Sequence, residues 1–255
     1  MFTLKQYADG QWSASIEDDS NLLLKIRANS YEELFKIASI KEAWDYRQRS
    51  NAMRKSRLEL YCLIGQRSDR RFNENQSFDL RIISSFINQM NFDEVAVFHP
   101  HSSVVLALIH RSESIDHFSY VKQTFDLCNK PLLISPDAGA YKETHRISEK
   151  LGADLIPANK VRVDNEPKIV IQGDVNGKNC LIVDDIADGG RTFMHLAKAL
   201  KNDGAQKVSL YVSHAQFNYG FDDLAENIDL VFCTNSFRDI EHPMVHQFKI
   251  LGLLL

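Results

Sequence analysis

No stretch of this 255-residue chain stays apolar for the length a membrane crossing needs, which is about 20 residues. The first residues hold no basic segment leading into an apolar run, so no secretory leader is expected. Cysteine is scarce, and Cys62, Cys128, Cys180 and Cys233 show no paired spacing. A disulfide framework is therefore not expected; buried free thiols in a reducing compartment are. Basic charge is not in excess either. Lys and Arg number 30 against 34 Asp and Glu, a net charge of -4, which argues against a general nucleic-acid binder. Low-complexity segments and short repeats are missing. What remains is an ordinary globular composition, 44% hydrophobic and 25% charged. It suits one large domain or two small ones in a soluble, cytoplasmic protein.

The most informative stretch is 180–204. Cys180-Leu-Ile-Val183 is a continuous apolar run, the pattern of a strand buried on both faces of a parallel sheet. Asp184 and Asp185 follow at its carboxyl end, and then a turn through Asp188, Gly189, Gly190, Arg191 and Thr192. Phe193, Leu196, Ala197 and Leu200 recur at helical spacing, and Asn202-Asp203-Gly204 stops the helix. Ligands of open α/β sheets bind at the carboxyl ends of strands. Backbone N–H groups of the turn and the helix dipole suit a phosphate. The acidic pair suits ribose hydroxyls or a metal ion; a solvated pair in a surface loop is the alternative.

The rest of the chain alternates between the two periodicities. Met1 to Arg27 reads as a small β region with a turn at Asp9-Gly10. Ser30 stands where an N-cap belongs, before a helix from Tyr31 to about Trp44. The basic run Tyr46 to Arg57 reads as a solvated connector. Leu58 to Ile64 is a strand that enters the loop Gly65-Gln66-Arg67-Ser68-Asp69-Arg70-Arg71. Phe78 to Met90 is a helix and Glu94 to Phe98 a strand. That strand ends in His99-Pro100-His101, two imidazoles able to hold a metal or to serve as hydrogen-bonded loop residues. Val104 to His110 is helical, and Asp116 to Leu127 is the end of a strand and a helix. Asn129-Lys130-Pro131 is the expected joint between domains spanning 1–129 and 130–255. Leu132 to Ser135 is a strand, followed by Pro136-Asp137 and a helix to Leu151. Lys160 and Arg162 sit one residue apart on an extended segment, hence on one face. Val245 to Leu254 is a last strand.

Asp184-Asp185-Ile-Ala-Asp188-Gly-Gly-Arg-Thr192 resembles the ribose-phosphate loop of type I phosphoribosyltransferases and phosphoribosyl pyrophosphate (PRPP) synthetases. The synthetase likeness extends to other segments. Gln66-Arg67-Ser-Asp69 is similar to that family's Arg-Gln-Asp loop, which contacts ATP, often from a neighbouring subunit. A surface salt-bridged loop is the other reading. His101 falls on a histidine that binds the magnesium accompanying ATP, with His99 where the family carries Asp. Ser135-Pro136-Asp137-Ala-Gly resembles the segment that opens the second domain, whose Asp is a metal ligand. Lys160-x-Arg162 matches a mobile flap that closes on the transferring phosphates, and Ser213-His214 and Thr234-Asn235-Ser236 match two later strand ends. The likeness is tightest from about Pro131 to Ser236.

The resemblance implies an α/β fold of two phosphoribosyltransferase-like domains, each a mainly parallel sheet flanked by helices. It implies transfer of the terminal diphosphate of ATP to a ribose 1-hydroxyl, with release of AMP. Lys160 and Arg162 would be catalytic. Gln66, Arg67, Asp69 and His101 would bind ATP, and His101 and Asp137 would hold Mg2+. Asp184, Asp185, Asp188, Gly189, Gly190, Arg191 and Thr192 would bind the ribose phosphate. A homo-oligomer, dimer or hexamer, is implied, with neither nucleic acid nor membrane as partner. The loop departs from the usual Asp-Thr-small-Gly-Thr/Ser: Gly189 replaces a Thr and Arg191 replaces a Gly. One hydroxyl is lost and a guanidinium gained. Ribose 5-phosphate is one acceptor this leaves open. ADP-ribose is the other, as in the similar synthetase-like proteins of bacteriophage NAD salvage, which act in the host cytoplasm. A type I phosphoribosyltransferase, a non-catalytic regulatory relative and a duplicated α/β nucleotide-binding protein of another chemistry are the competing readings.

Overall fold

A computed structural model describes residues 2–17, 20–48, 53–163 and 166–254, without the side chains of 160–163 and 166–168. It contains two compact units, Met1–Asp116 with Leu251–Leu255, and His117–Ile250. The Asn129-Lys130-Pro131 joint lies within the second. No helix among the described residues is long and apolar enough to cross a membrane.

The first unit begins with β1 (Phe2–Gln6) and β2 (Trp12–Ile16), an antiparallel hairpin closed at Gly10, whose φ of 89° a side chain would resist. Next come β3 (Leu22–Ala28), α1 (Tyr31–Gln48), β4 (Ser56–Leu63), α2 (Asp79–Gln89), β5 (Glu94–Phe98), α3 (Ser103–Leu108) and β6 (Ser112–Ile115). The strands β3-β4-β5-β6 form a four-stranded parallel sheet in chain order. Ser30 caps α1 as expected, its Oγ accepting from Glu33 N at 3.2 Å. The hairpin is tied to α1 by polar contacts. Trp12 Nε1 donates to Glu32 Oε1 at 3.0 Å, and Lys36 Nζ sits 4.3 Å from the Trp12 ring centroid. Leu24, Ile26, Ile37, Ile40, Leu58 and Leu60 fill the core between sheet and helices.

The second unit contains α4 (Phe118–Leu127), β7 (Leu132–Ser135), α5 (Ala138–Leu151), β8 (Leu155–Val163), β9 (Glu166–Ile171) and β10 (Asn179–Ala187). It continues with α6 (Arg191–Asn202), β11 (Lys207–Ala215), α7 (Asp222–Ala225), β12 (Leu230–Thr234) and β13 (Val245–Phe248). Its sheet has the order β13-β12-β11-β10-β7-β8-β9, parallel except for the β8–β9 hairpin at one edge. The alternation along β10 explains its unbroken apolar run. Cys180 and Ile182 join the core that includes Phe193 and Leu196 of α6. Leu181 and Val183 join the opposite one, with Val121 of α4 and Ile147 of α5.

Two expectations are corrected. The apolar strand does not stop at Val183 but runs to Ala187, so the acidic pair belongs to β10 itself. The final strand is short, because β13 ends at Phe248. Ile250 N then donates to Asn235 Oδ1 at 2.8 Å, which turns the chain off the sheet. Leu254 N donates to Lys25 O of β3 at 2.9 Å, in the first unit.

One buried polar network ties the second unit together. His117, 1% exposed, places Nε2 2.8 Å from Glu143 Oε1 and Nδ1 3.3 Å from Ser213 Oγ. Arg146 Nε donates to Glu143 Oε2 at 2.9 Å. Burial pushes the Glu143 carboxyl up, but the bonds from His117 and Arg146 outweigh it and hold the group at about 2. The folded state thus carries fewer protons at this site than the unfolded chain. The stabilisation is complete above the ordinary value of 4.5 and is lost as pH falls through about 2. Glu143→Gln should therefore lower the melting temperature at pH 6, with the gap to the parent chain closing as pH falls below 4.5. A gap that stays constant across that range contradicts the assignment.

Candidate functional site at the β7–β10 switch point

After β7 the chain builds β8 on one side and, beyond the β8–β9 hairpin, returns to lay β10 on the other. β7 and β10 therefore flank the point where strand order reverses, where a doubly wound sheet opens a crevice at its carboxyl edge. β10 pairs with β7 only through Cys180, Leu181 and Ile182, while its pairing with β11 continues to Ala187. Asp184 and Asp185 lie in the part that outruns β7.

Asp137 stands at the carboxyl end of β7 and is the N-cap of α5, its Oδ1 accepting from Ala140 N at 3.0 Å. Ser135, wholly buried, donates through Oγ to Asp137 O at 2.9 Å and holds the turn. The strand–Ser-Pro-Asp–helix reading is thus the local structure. Asp184 is half-buried, and its Oδ1 accepts from Asp185 N at 2.9 Å. Desolvation raises its pKa most, the charge of Asp185 next, and that of Asp137 adds to both. The carboxyl is held up at about 8, against an ordinary 3.8. Three carboxylates of one unit thus share a field with too little positive charge. That is the chemistry of hard oxygen donors awaiting a cation or a set of hydroxyl donors.

The phosphate-type turn follows. Gly190 has a φ of 75° and caps α6, whose first residue is Arg191. A Cβ on Gly190 would meet Leu224 at 3.2 Å as well as the left-handed backbone. Arg191 and Thr192 are exposed at the head of the helix, and Asp188 is exposed in the turn. The loop after β11 braces this turn. Gln216 N and Phe217 N both donate to Ala187 O, at 2.8 and 3.2 Å, and Asn218 Nδ2 donates to Asp188 Oδ1 at 2.7 Å. Tyr219 lies against Gly189 and carries the Arg191 guanidinium 5.5 Å from its ring centroid. Sequence reasoning missed Asn218 and Tyr219. The only local signal is the turn at Asn218-Tyr219-Gly220, which says nothing of its partner 30 residues earlier.

The other candidates fall in two places. In the first unit, Arg67 is exposed, and Asp69 pairs with Arg70 Nε at 3.2 Å. Gln66 faces inward, 4% exposed, and its Oε1 accepts from His101 N at 3.1 Å. Its carboxamide therefore braces the exposed loop that presents the His101 imidazole. His99 has a φ of 38°, a conformation a non-glycine residue adopts only where the surroundings impose it. Its N–H donates to Ile115 O at 3.1 Å. Lys160 and Arg162 lie on β8, opposite Ile169 and Pro167 of β9. Their side chains fall outside the described residues.

Comparisons with known proteins show what the chain is similar to. The family model described as "Phosphoribosyl synthetase-associated domain" matches residues 135–253. Ribose-phosphate pyrophosphokinase 4 of Saccharomyces cerevisiae is 26% identical over 196 residues, covering 72% of this chain and 59% of that protein. The ribose-phosphate pyrophosphokinase of Pyrococcus furiosus is 28% identical over 211 residues, covering 81% of this chain and 75% of the other. The chain spans 59%, 60% and 61% of the length of three of these curated relatives. The crystal structure of phosphoribosylpyrophosphate synthetase from Mycobacterium smegmatis has the same fold. Its TM-score is 0.83 at 18% identity, over 98% of this chain and 86% of that one.

The electrostatics of the switch point set a pH test. A folded-state value near 8 for Asp184 means the folded protein binds more protons than the unfolded chain between about 4 and 8. Stability is then lost as pH rises through that window. Asp184→Asn should raise the melting temperature of the ligand-free protein relative to the parent by an amount that grows from pH 5 to pH 9. A difference independent of pH contradicts the shift.

Proposed function

Because the chain is a divergent member of the ribose-phosphate pyrophosphokinase family, we propose that it transfers diphosphate from ATP to a ribose 1-hydroxyl and releases AMP. The acceptor is a ribose 5-phosphate unit, either free or esterified as in ADP-ribose. The observation that carries this reading is the Asp137, Asp184 and Asp185 cluster beside a glycine turn at the β7–β10 switch point. That arrangement suits a ribose, its phosphate and a divalent cation together.

Each residue has a role in this chemistry. The acidic pair orients the ribose by accepting from its 2- and 3-hydroxyls, and loss of the Asp184 proton on binding strengthens those bonds. The N–H groups of residues 189–192 and the Thr192 hydroxyl hold the 5-phosphate. The ribose 1-hydroxyl attacks the β-phosphorus of ATP, the bond to the α-phosphate oxygen breaks, and AMP leaves. Lys160 and Arg162 stabilise the charge that gathers on the transferred group and on AMP. Such transfers depend on positioning and charge neutralisation. Arg67 and Asp69 hold ATP. His101 of the first unit and Asp137 of the second would each offer a ligand to magnesium, which would supply charge neutralisation on the phosphates. The Asp137 carboxylate, a hard oxygen donor that adds to the negative field at Asp184, suits that ion. A homo-oligomer in the cytoplasm, possessing a dimer at least, is part of the same reading.

The test is AMP release from Mg-ATP, with ribose 5-phosphate and ADP-ribose supplied separately. Acceptor-dependent AMP is the expected result. Lys160→Ala and Arg162→Ala should each cost about 10²-fold or more in kcat. Arg191→Gly should weaken ADP-ribose more than ribose 5-phosphate, and equal loss for both would remove the reason given for that residue. The absence of AMP with either acceptor favours a regulatory relative that binds without turnover, a reading in keeping with the description of the matched domain model.

A further inference from the structure

The loop that follows β11 carries a group that the reaction chemistry does not use. Tyr219 is 74% exposed, yet it is not a loose surface side chain. Its turn is closed by Gly220 N donating to Phe217 O at 3.0 Å and by Asn218 N donating to Asp188 O at 3.0 Å. Its ring edge rests on the phosphate turn so closely that a Cβ at Gly189 would stand 2.6 Å from Cε2 and 2.7 Å from Cδ2. Any side chain at 189 therefore excludes the ring from this position. Glycine there and Tyr219 form one feature: the turn has an aromatic surface where a side-chain hydroxyl would otherwise stand. Arg191 lies over the same ring, 5.5 Å from its centroid.

We propose that Tyr219, held against Gly189 and carrying Arg191, is a specificity-determining residue that selects an acceptor whose 5-phosphate continues into a second phosphate and an aromatic base. This rests on the reading of the switch-point site as the place where the ribose phosphate binds. A free monoester is a compact dianion that the N–H groups and the Thr192 hydroxyl of the turn can satisfy, and it has nothing to lay on a ring. A diphosphate-linked nucleoside such as ADP-ribose has both missing elements. Its second phosphate meets the planar donor fork of a guanidinium, and its base has a π face to stack. Arg191 is already oriented over the ring by cation–π attraction, so less of its side-chain freedom is lost on binding. Removing one stacking partner of a base weakens binding roughly tenfold.

The experiment is calorimetric titration of the full chain with ADP-ribose and with ribose 5-phosphate, for the parent, Tyr219→Phe, Tyr219→Ala and Gly189→Thr. AMP release is followed on the same preparations, and melting temperatures confirm folding. The expected result is a ratio of ADP-ribose to ribose 5-phosphate affinity that falls about tenfold in Tyr219→Ala, stays near the parent value in Tyr219→Phe, and falls again in Gly189→Thr as the ring is displaced. Equal loss for both ligands in Tyr219→Ala, or an unchanged ratio, overturns the proposal, as does a parent that binds ribose 5-phosphate but not ADP-ribose. A parent that binds both without releasing AMP defeats the diphosphate-transfer reading and leaves the selectivity to be read from the ratio. A parent that binds neither defeats both.

Discussion

The second unit depends on a carboxyl group placed where its ionised form is disfavoured. Asp184 is drawn into the sheet by the burial of β10 on both faces, and it sits beside Asp185 and near Asp137. A solvated carboxylate costs little; this one is held at about 8 by desolvation and by its acidic neighbours. The protein keeps the arrangement because everything around it is anchored apolar structure. Cys180 and Ile182 pack on one side, Leu181 and Val183 on the other, and parallel pairing on both flanks fixes the backbone through Ile182. Stability spent at such a point is characteristic of a site prepared for a ligand. A cation or hydroxyl donors that favour the ionised carboxylate release that stored cost on binding.

The turn beyond Asp185 is rigid for a related reason. Its own residues include two glycines and cannot define one conformation alone. The loop after β11 supplies the definition through the bonds from Gln216, Phe217 and Asn218. Phe217 accepts a left-handed φ of 44° to do so, with its ring buried against Phe221. Strain at one residue is thus offset by core packing, and the glycine turn inherits a fixed shape. In the first unit Gln66 plays the same part on a smaller scale. A buried carboxamide acts as the backbone partner of the loop that bears His101.

Much of this was legible in the chain. The runs Cys180–Val183 and Leu132–Ser135 announce strands because burial on both faces removes polar residues. The Asp137 turn announces itself because helix starts use few chemistries. The acidic pair and its turn read as a candidate ligand site from their order alone. Other features were hidden for definite reasons. The extension of β10 through Asp184 and Asp185 follows from pairing with β11, not from side-chain polarity. The final strand looked longer because Ile250, Leu251 and Leu254 are apolar, yet Asn235 diverts the chain after Phe248. The contacts between 189 and 219, and between 66 and 101, join positions far apart in sequence, and no local periodicity encodes them.

The most direct test of the account is the fate of the diphosphate. Phosphorus NMR of the full chain with Mg-ATP and an acceptor should show the β and γ resonances of ATP replaced by those of a diphosphate ester on the ribose 1-oxygen, in step with the AMP signal. ATP consumed to ADP and inorganic phosphate, or an acceptor that stays unmodified while AMP appears, would contradict it.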